Sequence, residues 1–193
     1  MADPRHFELD TRQQTTILRL CSDDGTNRLT RACVLALTAA VRELARAVKP
    51  LIITGNDKFF SAGADLNEIM ALGGASAFAF GKMGQELTDA IDRFPAPVIA
   101  AVHGYCMGGG LDLALACDLR IASPHAIFGH RGAALGLMTG WGGTQRLPRL
   151  VGMARALEMF IAAEKLHARQ ALAFGLVDAV VEDPVAEAIR RLS

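Results

Sequence analysis

The chain has 193 residues, about half hydrophobic and a fifth charged, enough for one globular domain with a substantial core. Twenty basic residues balance twenty acidic ones, so no basic face points to nucleic acid, and one Trp with one Tyr makes no base-stacking surface. Cys21, Cys33, Cys106 and Cys117 form no CxxC and no metal spacing with histidine, which predicts a reduced, cytoplasmic protein without a metal.

The opening MADPRHFELD has no apolar run, so no signal peptide is expected. Phe7–Asp10 and Thr15–Leu20 read as strands, the second alternating Thr16, Leu18 and Leu20 with polar neighbours. After the turn cluster Ser22–Asn27, Thr30 caps a helix with Val34, Leu37, Val41, Leu44 and Val48 at helical spacing, ended by Pro50. Leu51–Thr54 is a short buried strand, followed by a loop, NDKFFSAGADLNEI. Ala75–Phe94 reads as a second helix with Phe78, Met83, Leu87 and Ile91 toward the core, stopped by Pro95 and Pro97.

The stretch from Ala96 to Ala122 organises the rest. It reads as a strand, Pro97–Ala101, a tight turn, and a helix entered through Gly108-Gly109-Gly110. Three glycines remove every Cβ from that turn, and the first helical amides lack acceptors and carry the positive end of the helix dipole. Such a site suits a negatively charged oxygen. His103, the glycines and Asp112 interrupt the apolar run, so no membrane span is expected. Leu119–Ala122 is a further strand and Ala126–Phe128 a brief extended piece. Helices follow from Gly142, at Ala154–Ala163 and at Ala168–Phe174. A strand at Leu176–Val181 and a helix with Pro184 at its first position complete the order. Alternating strands and helices predict one α/β domain, residues 1–193, with a largely parallel sheet.

Two glycine-bearing loops, SAGADL (Ser61–Leu66) and GYCMGGGLD (Gly104–Asp112), each follow an apolar strand, at the carboxyl edge where α/β sheets bind ligands. Neither is a phosphate loop, and each alone could simply be a turn. Together with FGHRGAALGLMTGWGGTQRLPRLVG and ALAFGLVDAVV, in that order, they closely resemble the enoyl-CoA hydratase/isomerase (crotonase) family from about Thr16 to Asp183.

That resemblance implies a spiral of ββα units and a coenzyme A thioester as substrate, with no bound cofactor. The thioester oxygen would lie between the amides of Ala64 and Gly109, which stabilise the charge developing when a proton leaves the adjacent carbon. Ala62, Gly63, Asp65 and Leu66 would follow the coenzyme. Tyr105, Gly108, Gly132, Gly140 and Trp141 would border the substrate, with Trp141 narrowing the acyl pocket. Arg28 would approach the pantetheine and phosphates, Lys58 being a weaker candidate, and for both a solvated surface cation is the alternative. The family also implies a homo-oligomer, trimer or hexamer, and further helices beyond Ser193, so the C-terminal helical part is expected to be shortened.

Hydratases of this family use two glutamates. Their positions are Asp112 and Gly132 here, and the acids of the dienoyl isomerase branch would fall at Gly132 and Gly140. One carboxylate suits double-bond isomerisation, with Asp112 as base and then acid, although an acid in a first helical turn also serves the dipole. His130 is a candidate for the lost proton-transfer function, against a structural hydrogen-bonded role. Two alternatives stand beside isomerisation. One is a non-catalytic acyl-CoA binder; the other is a decarboxylase or thioesterase using His130 and Arg131.

Overall fold

The structure, a computed structural model, describes residues 6–193. Strands β1 (Phe7–Arg12) and β2 (Thr15–Leu20) form a hairpin. β3 (Arg28–Leu29) leads into α1 (Arg31–Leu44), where the Thr30 hydroxyl accepts from the Cys33 amide at 3.2 Å, the cap read from the sequence. β4 (Leu51–Thr54) is followed by β5 (Phe59–Ser61), β6 (Gly63–Ala64), α2 (Leu66–Met70) and the long α3 (Gly74–Asp92). Then come β7 (Val98–Val102), β8 (Tyr105–Met107) and α4 (Gly109–Leu115). β9 (Leu119–Ala122), β10 (Ile127–Gly129), a 3-10 turn over Gly132–Leu135, α5 (Gly143–Val151) and α6 (Met153–Ile161) follow. The chain closes with β11 (Leu166–His167), α7 (Ala168–Ala173), β12 (Ala179–Val180) and α8 (Pro184–Leu192).

The main sheet runs β1-β2-β4-β7-β9-β12 and is parallel from β2 onward. Its register places Leu18, Ile53 and Ala100 in one row and Ile17, Ile52 and Ile99 in the next, so the pleat sends them to opposite faces. The first row belongs to the large core packed by α1 and α3. The second is covered by Val185, Ala188, Ile189 and Leu192 of α8, which is why both rows are apolar. Pro184 takes the first position of α8, as expected, and Asp183 caps that helix by accepting from the Ala186 amide.

A second sheet, β11-β10-β8-β5, and the pair β3-β6 lie beyond the main one. Each of β4, β7 and β9 is thus followed by a short strand of the second sheet, and after β4 and β7 by a helix. This repeated unit carries SAGADL and the triple-glycine turn to adjacent places: β5 pairs with β8 in parallel, and β8 with β10.

Several expectations are corrected. Phe78 is 72% exposed, whereas Phe80 joins Met83, Gly84, Leu87, Thr88 and Ile91 on the buried face. Residues two apart on a helix point away from each other, so only one of the two phenylalanines reaches the core. Val48 is not on the core face of α1, because the α-helix ends at Leu44 and Val48 takes a left-handed backbone at φ +51°. The segment 56–69, read as a loop, contains β5, β6 and the start of α2. The strand expected over Leu176–Val181 is limited to Ala179–Val180. The expectation for the leading residues 1–5 lies outside the described residues.

Candidate active site

The two glycine loops interlock through their backbones. The Asn27 side chain donates to the carbonyls of Phe59 and Phe60, the Ser61 hydroxyl donates to the Asn27 carbonyl, and the Gly63 amide donates to that hydroxyl. This pins SAGADL beside the turn that opens α4. Gly63 has φ +91°, and a Cβ on it would lie 2.5 Å from the Met107 carbonyl oxygen and 3.1 Å from the Gly109 nitrogen. A Cβ on Gly110 would lie 2.7 Å from that of Ser61, and Gly108 takes φ +51°. The chain can come this close only with no side chain at these positions. A Cβ on Gly109 would sit 3.4 Å from the Ala64 nitrogen, so the two candidate amides occupy one wall. Gly109 is the first residue of α4, so its N–H has no acceptor one turn back in the helix.

These residues border a cavity of about 440 Å³. Ala62, Gly63, Ala64, Gly108 and Gly109 form one side; Leu66, Ile69, Leu72, Phe80, Trp141 and Phe160 supply its apolar surface. Its ionisable lining groups are Asp112, His130 and Arg131. Trp141, 4% exposed, fills a slot between two helices. A Cβ on Gly84 of α3 would fall 2.1 Å from its indole nitrogen, and one on Gly109 of α4 2.5 Å from its ring. The indole N–H donates to the Phe80 carbonyl at 3.3 Å, and the two rings are 5.3 Å apart.

Asp112 and His130 converge. Asp112 is 1% and His130 4% exposed, and His130 Nε2 lies 3.3 Å from Asp112 Oδ1. The pair is close but not aligned as a hydrogen bond, and neither facing atom has another hydrogen-bond partner. The second carboxylate oxygen, Oδ2, accepts from the Thr139 hydroxyl. A Cβ on Gly143, the first residue of α5, would lie 2.2 Å from Oδ1 and 3.1 Å from Nε2, so the pair rests on the bare start of that helix. A carboxylate there is favoured by the helix dipole. The His130 ring also packs 5.2 Å from Phe160.

The position expected to hold the second acid is closed as well as empty of a side chain. A Cβ on Gly132 would lie 2.7 Å from the Leu137 carbonyl oxygen, because the Gly132 carbonyl accepts from the Leu137 amide across the turn. Gly140 lines the cavity and faces open space.

Asp65, Arg28 and Tyr105 stand away from the cavity wall. Asp65 caps α2, accepting from the amides of Asn67 and Glu68. Arg28 is ion-paired with Asp24 and, at 3.4 Å, with Asp65. Tyr105 packs 5.4 Å from Phe59, with the Lys165 ammonium over its ring. Arg131 lines the cavity and has no carboxylate partner among the described residues. Burial holds His103 below the ordinary imidazole value. It pushes the thiols of Cys33 and Cys117 up to about 12 and that of Cys106 well above its usual value. Among the described residues no cluster of three or more His, Cys, Asp or Glu side chains is placed to hold a metal. No helix among them is long and apolar enough to cross a membrane.

Sequence reasoning missed Thr139, Gly143, Gly84 and Phe160. A lone Thr in a loop and a Phe in an amphipathic helix carry no local pattern; only the fold brings them to Asp112, Trp141 and His130.

The family profile of enoyl-CoA hydratase/isomerase matches residues 12–192. A probable enoyl-CoA hydratase of Bacillus subtilis (strain 168) is 45% identical over 137 residues, 70% of this chain and 53% of that protein. The match therefore spans about half the length of that relative. A crotonyl-CoA hydratase of Syntrophomonas wolfei is 40% identical over 177 residues, 90% of this chain and 68% of that one. Among solved structures, an enoyl-CoA hydratase from Bacillus anthracis superposes with a TM-score of 0.92 at 32% identity, covering 97% of this chain and 75% of that chain. DspI of Pseudomonas aeruginosa gives 0.90 at 36%, covering 100% and 80%. With the glycine loops, the interlocked spiral and these matches in agreement, the chain belongs to the enoyl-CoA hydratase/isomerase family.

Proposed function

We propose that this protein binds an acyl-CoA thioester in the cavity and moves a proton at the carbon beside the thioester carbonyl, most simply shifting a double bond from the 3- to the 2-position. The observation that carries this reading is the buried Asp112–His130 pair, its facing atoms unpartnered, in the wall of an apolar cavity that also holds Gly109 and Ala64.

The thioester oxygen sits between the amides of Ala64 and Gly109. As the C2–H bond breaks, its electron pair moves into the C–C bond toward the carbonyl, and the oxygen takes the charge as an enolate. Fixed N–H donors stabilise that charge without reorganising. Asp112 and His130 act as one acid–base unit, holding the proton and returning it to C4 as the 2,3-double bond forms. Water addition asks for two separately placed acids or bases, and the closed space at Gly132 supports a single unit instead. Coenzyme A lies along Ala62–Leu66, and Trp141 restricts the acyl group. The row Met153, Leu157 and Ile161, exposed at helical spacing on α6, supports self-association of copies.

A carboxylate-held imidazole beside two amides is also an arrangement that activates water against a thioester carbonyl, so hydrolysis is the second reading. A panel of 3-enoyl-, 2-enoyl-, saturated and malonyl-type thioesters separates the two. The expected result is conversion of the 3-enoyl to the conjugated 2-enoyl thioester without free thiol. Release of coenzyme A supports hydrolysis, release of carbon dioxide supports decarboxylation, and binding of every thioester with no turnover supports a non-catalytic binder.

A further inference from the structure

The Asp112–His130 unit works only if the carboxylate presents a defined oxygen to the ring, and an Asp side chain does not select one by itself, since its last torsion is broad and twofold. In this structure the selection comes from the loop between Gly136 and Gly140. Thr139 donates its hydroxyl proton to Oδ2, which leaves Oδ1 turned toward His130 Nε2 at 3.3 Å. The remaining side is closed by the backbone of Gly143, with no room for a Cβ against Oδ1. The ring is held in turn by Phe160. The other ionisable groups near the carboxylate are Arg131, on the same cavity wall, and the thiol of Cys106, buried beneath α4. The structure gives neither of them a hydrogen bond or ion pair to Asp112. Among the described residues Thr139 supplies the one hydroxyl hydrogen-bonded to this carboxylate.

We infer that Thr139 is a positioning residue: its hydroxyl locks the Asp112 carboxylate so that Oδ1 alone faces His130, which commits Nε2–H to Asp112 and leaves Nδ1 for the reacting atoms. The consequence for the ring follows from hydrogen-bond logic, because a neutral imidazole carries its proton on the nitrogen that faces an acceptor. The consequence for catalysis rests on the acyl-CoA reading above. Thr139 touches no reacting atom; it acts through Asp112.

The test compares Thr139→Val, which keeps the shape and removes the donor, with Thr139→Ser, which keeps the donor. Imidazole nitrogen NMR of the resting protein should show His130 as a single Nε2–H tautomer in the wild type and in Thr139→Ser, and as a mixture in Thr139→Val. With a 3-enoyl thioester, Thr139→Val should lose about 10- to 100-fold in kcat, the loss seen when the hydrogen-bond partner that orients a metal-ligating side chain is removed. The loss in kcat should exceed any change in KM, because Thr139, although its side chain lies in the cavity wall, acts on the proton transfer through Asp112, and Thr139→Ser should restore most of the loss. An unchanged single tautomer in Thr139→Val, or a Thr139→Ser protein that behaves like Thr139→Val, overturns the inference. Should the wild type turn over no thioester, the acyl-CoA reading falls, while the tautomer measurement still decides the role of Thr139.

Discussion

The cavity wall made by Ala62–Ala64 and Gly108–Gly109 presents backbone, whereas the wall made by Asp112, His130 and Thr139 presents side chains. The first is held by contacts so close that four of its neighbouring positions admit no Cβ or take a positive φ. The second is held by one hydroxyl, one ring contact and one pair of atoms 3.3 Å apart. A backbone site constrains residue type strongly, because only small residues allow the chain to come that near. A side-chain site constrains little beyond the functional groups themselves. Here the backbone at Gly132 leaves no room for a side chain, and the imidazole of His130, two residues earlier, stands against Asp112.

The largest effect should come from breaking the side-chain wall. Asp112→Asn or His130→Gln should lower turnover by about 10²- to 10⁴-fold, the usual contribution of a general acid–base group, while thioester binding by calorimetry stays near wild type. Equal loss of binding and turnover would mean that the two walls do not divide the work. Breaking the backbone wall comes next. A Cβ at Gly109 would strike the Trp141 ring, so Gly109→Ala should displace that amide and cost about 100-fold or more in turnover, the cost of losing one such donor. A shifted tryptophan emission would report the movement, since Trp141 is the only Trp in the chain.

The smallest effect sharpens the comparison from the opposite direction. Introducing an acid with Gly132→Glu should not create hydratase activity, because the side chain would meet the Leu137 carbonyl. It should instead cost about 1–3 kcal/mol, the range for overpacking a filled site, read from a denaturation midpoint. Efficient hydration by this variant would show that the turn opens more easily than its geometry indicates.

The same division explains what could be read from the sequence. Gly108–Gly110 and SAGADL were legible because a run of small residues at a strand-to-helix turn has a local physical meaning, as do the Thr30 cap and Pro184 at the first position of α8. Phe78 and Phe80 were not distinguishable, since both lie in a loosely patterned helix and only packing against Trp141 selects Phe80. Asp112 and His130 are eighteen residues apart, and whether the ring faced the carboxylate depended on how β10 leaves the second sheet. Thr139 was invisible, because its role arises where a loop passes a helix that precedes it by some twenty-seven residues.

On the proposed function, a thioester held by the two amides loses and regains a proton at the carbon beside its carbonyl through Asp112 and His130. Incubating the protein with an enoyl or saturated acyl-CoA in heavy water, and following deuterium at that carbon by mass spectrometry, tests it directly. The wild type should incorporate deuterium steadily and Asp112→Asn none above background. A wild-type protein that binds the thioester yet exchanges no proton, or an Asp112→Asn protein that exchanges as fast as wild type, would contradict it.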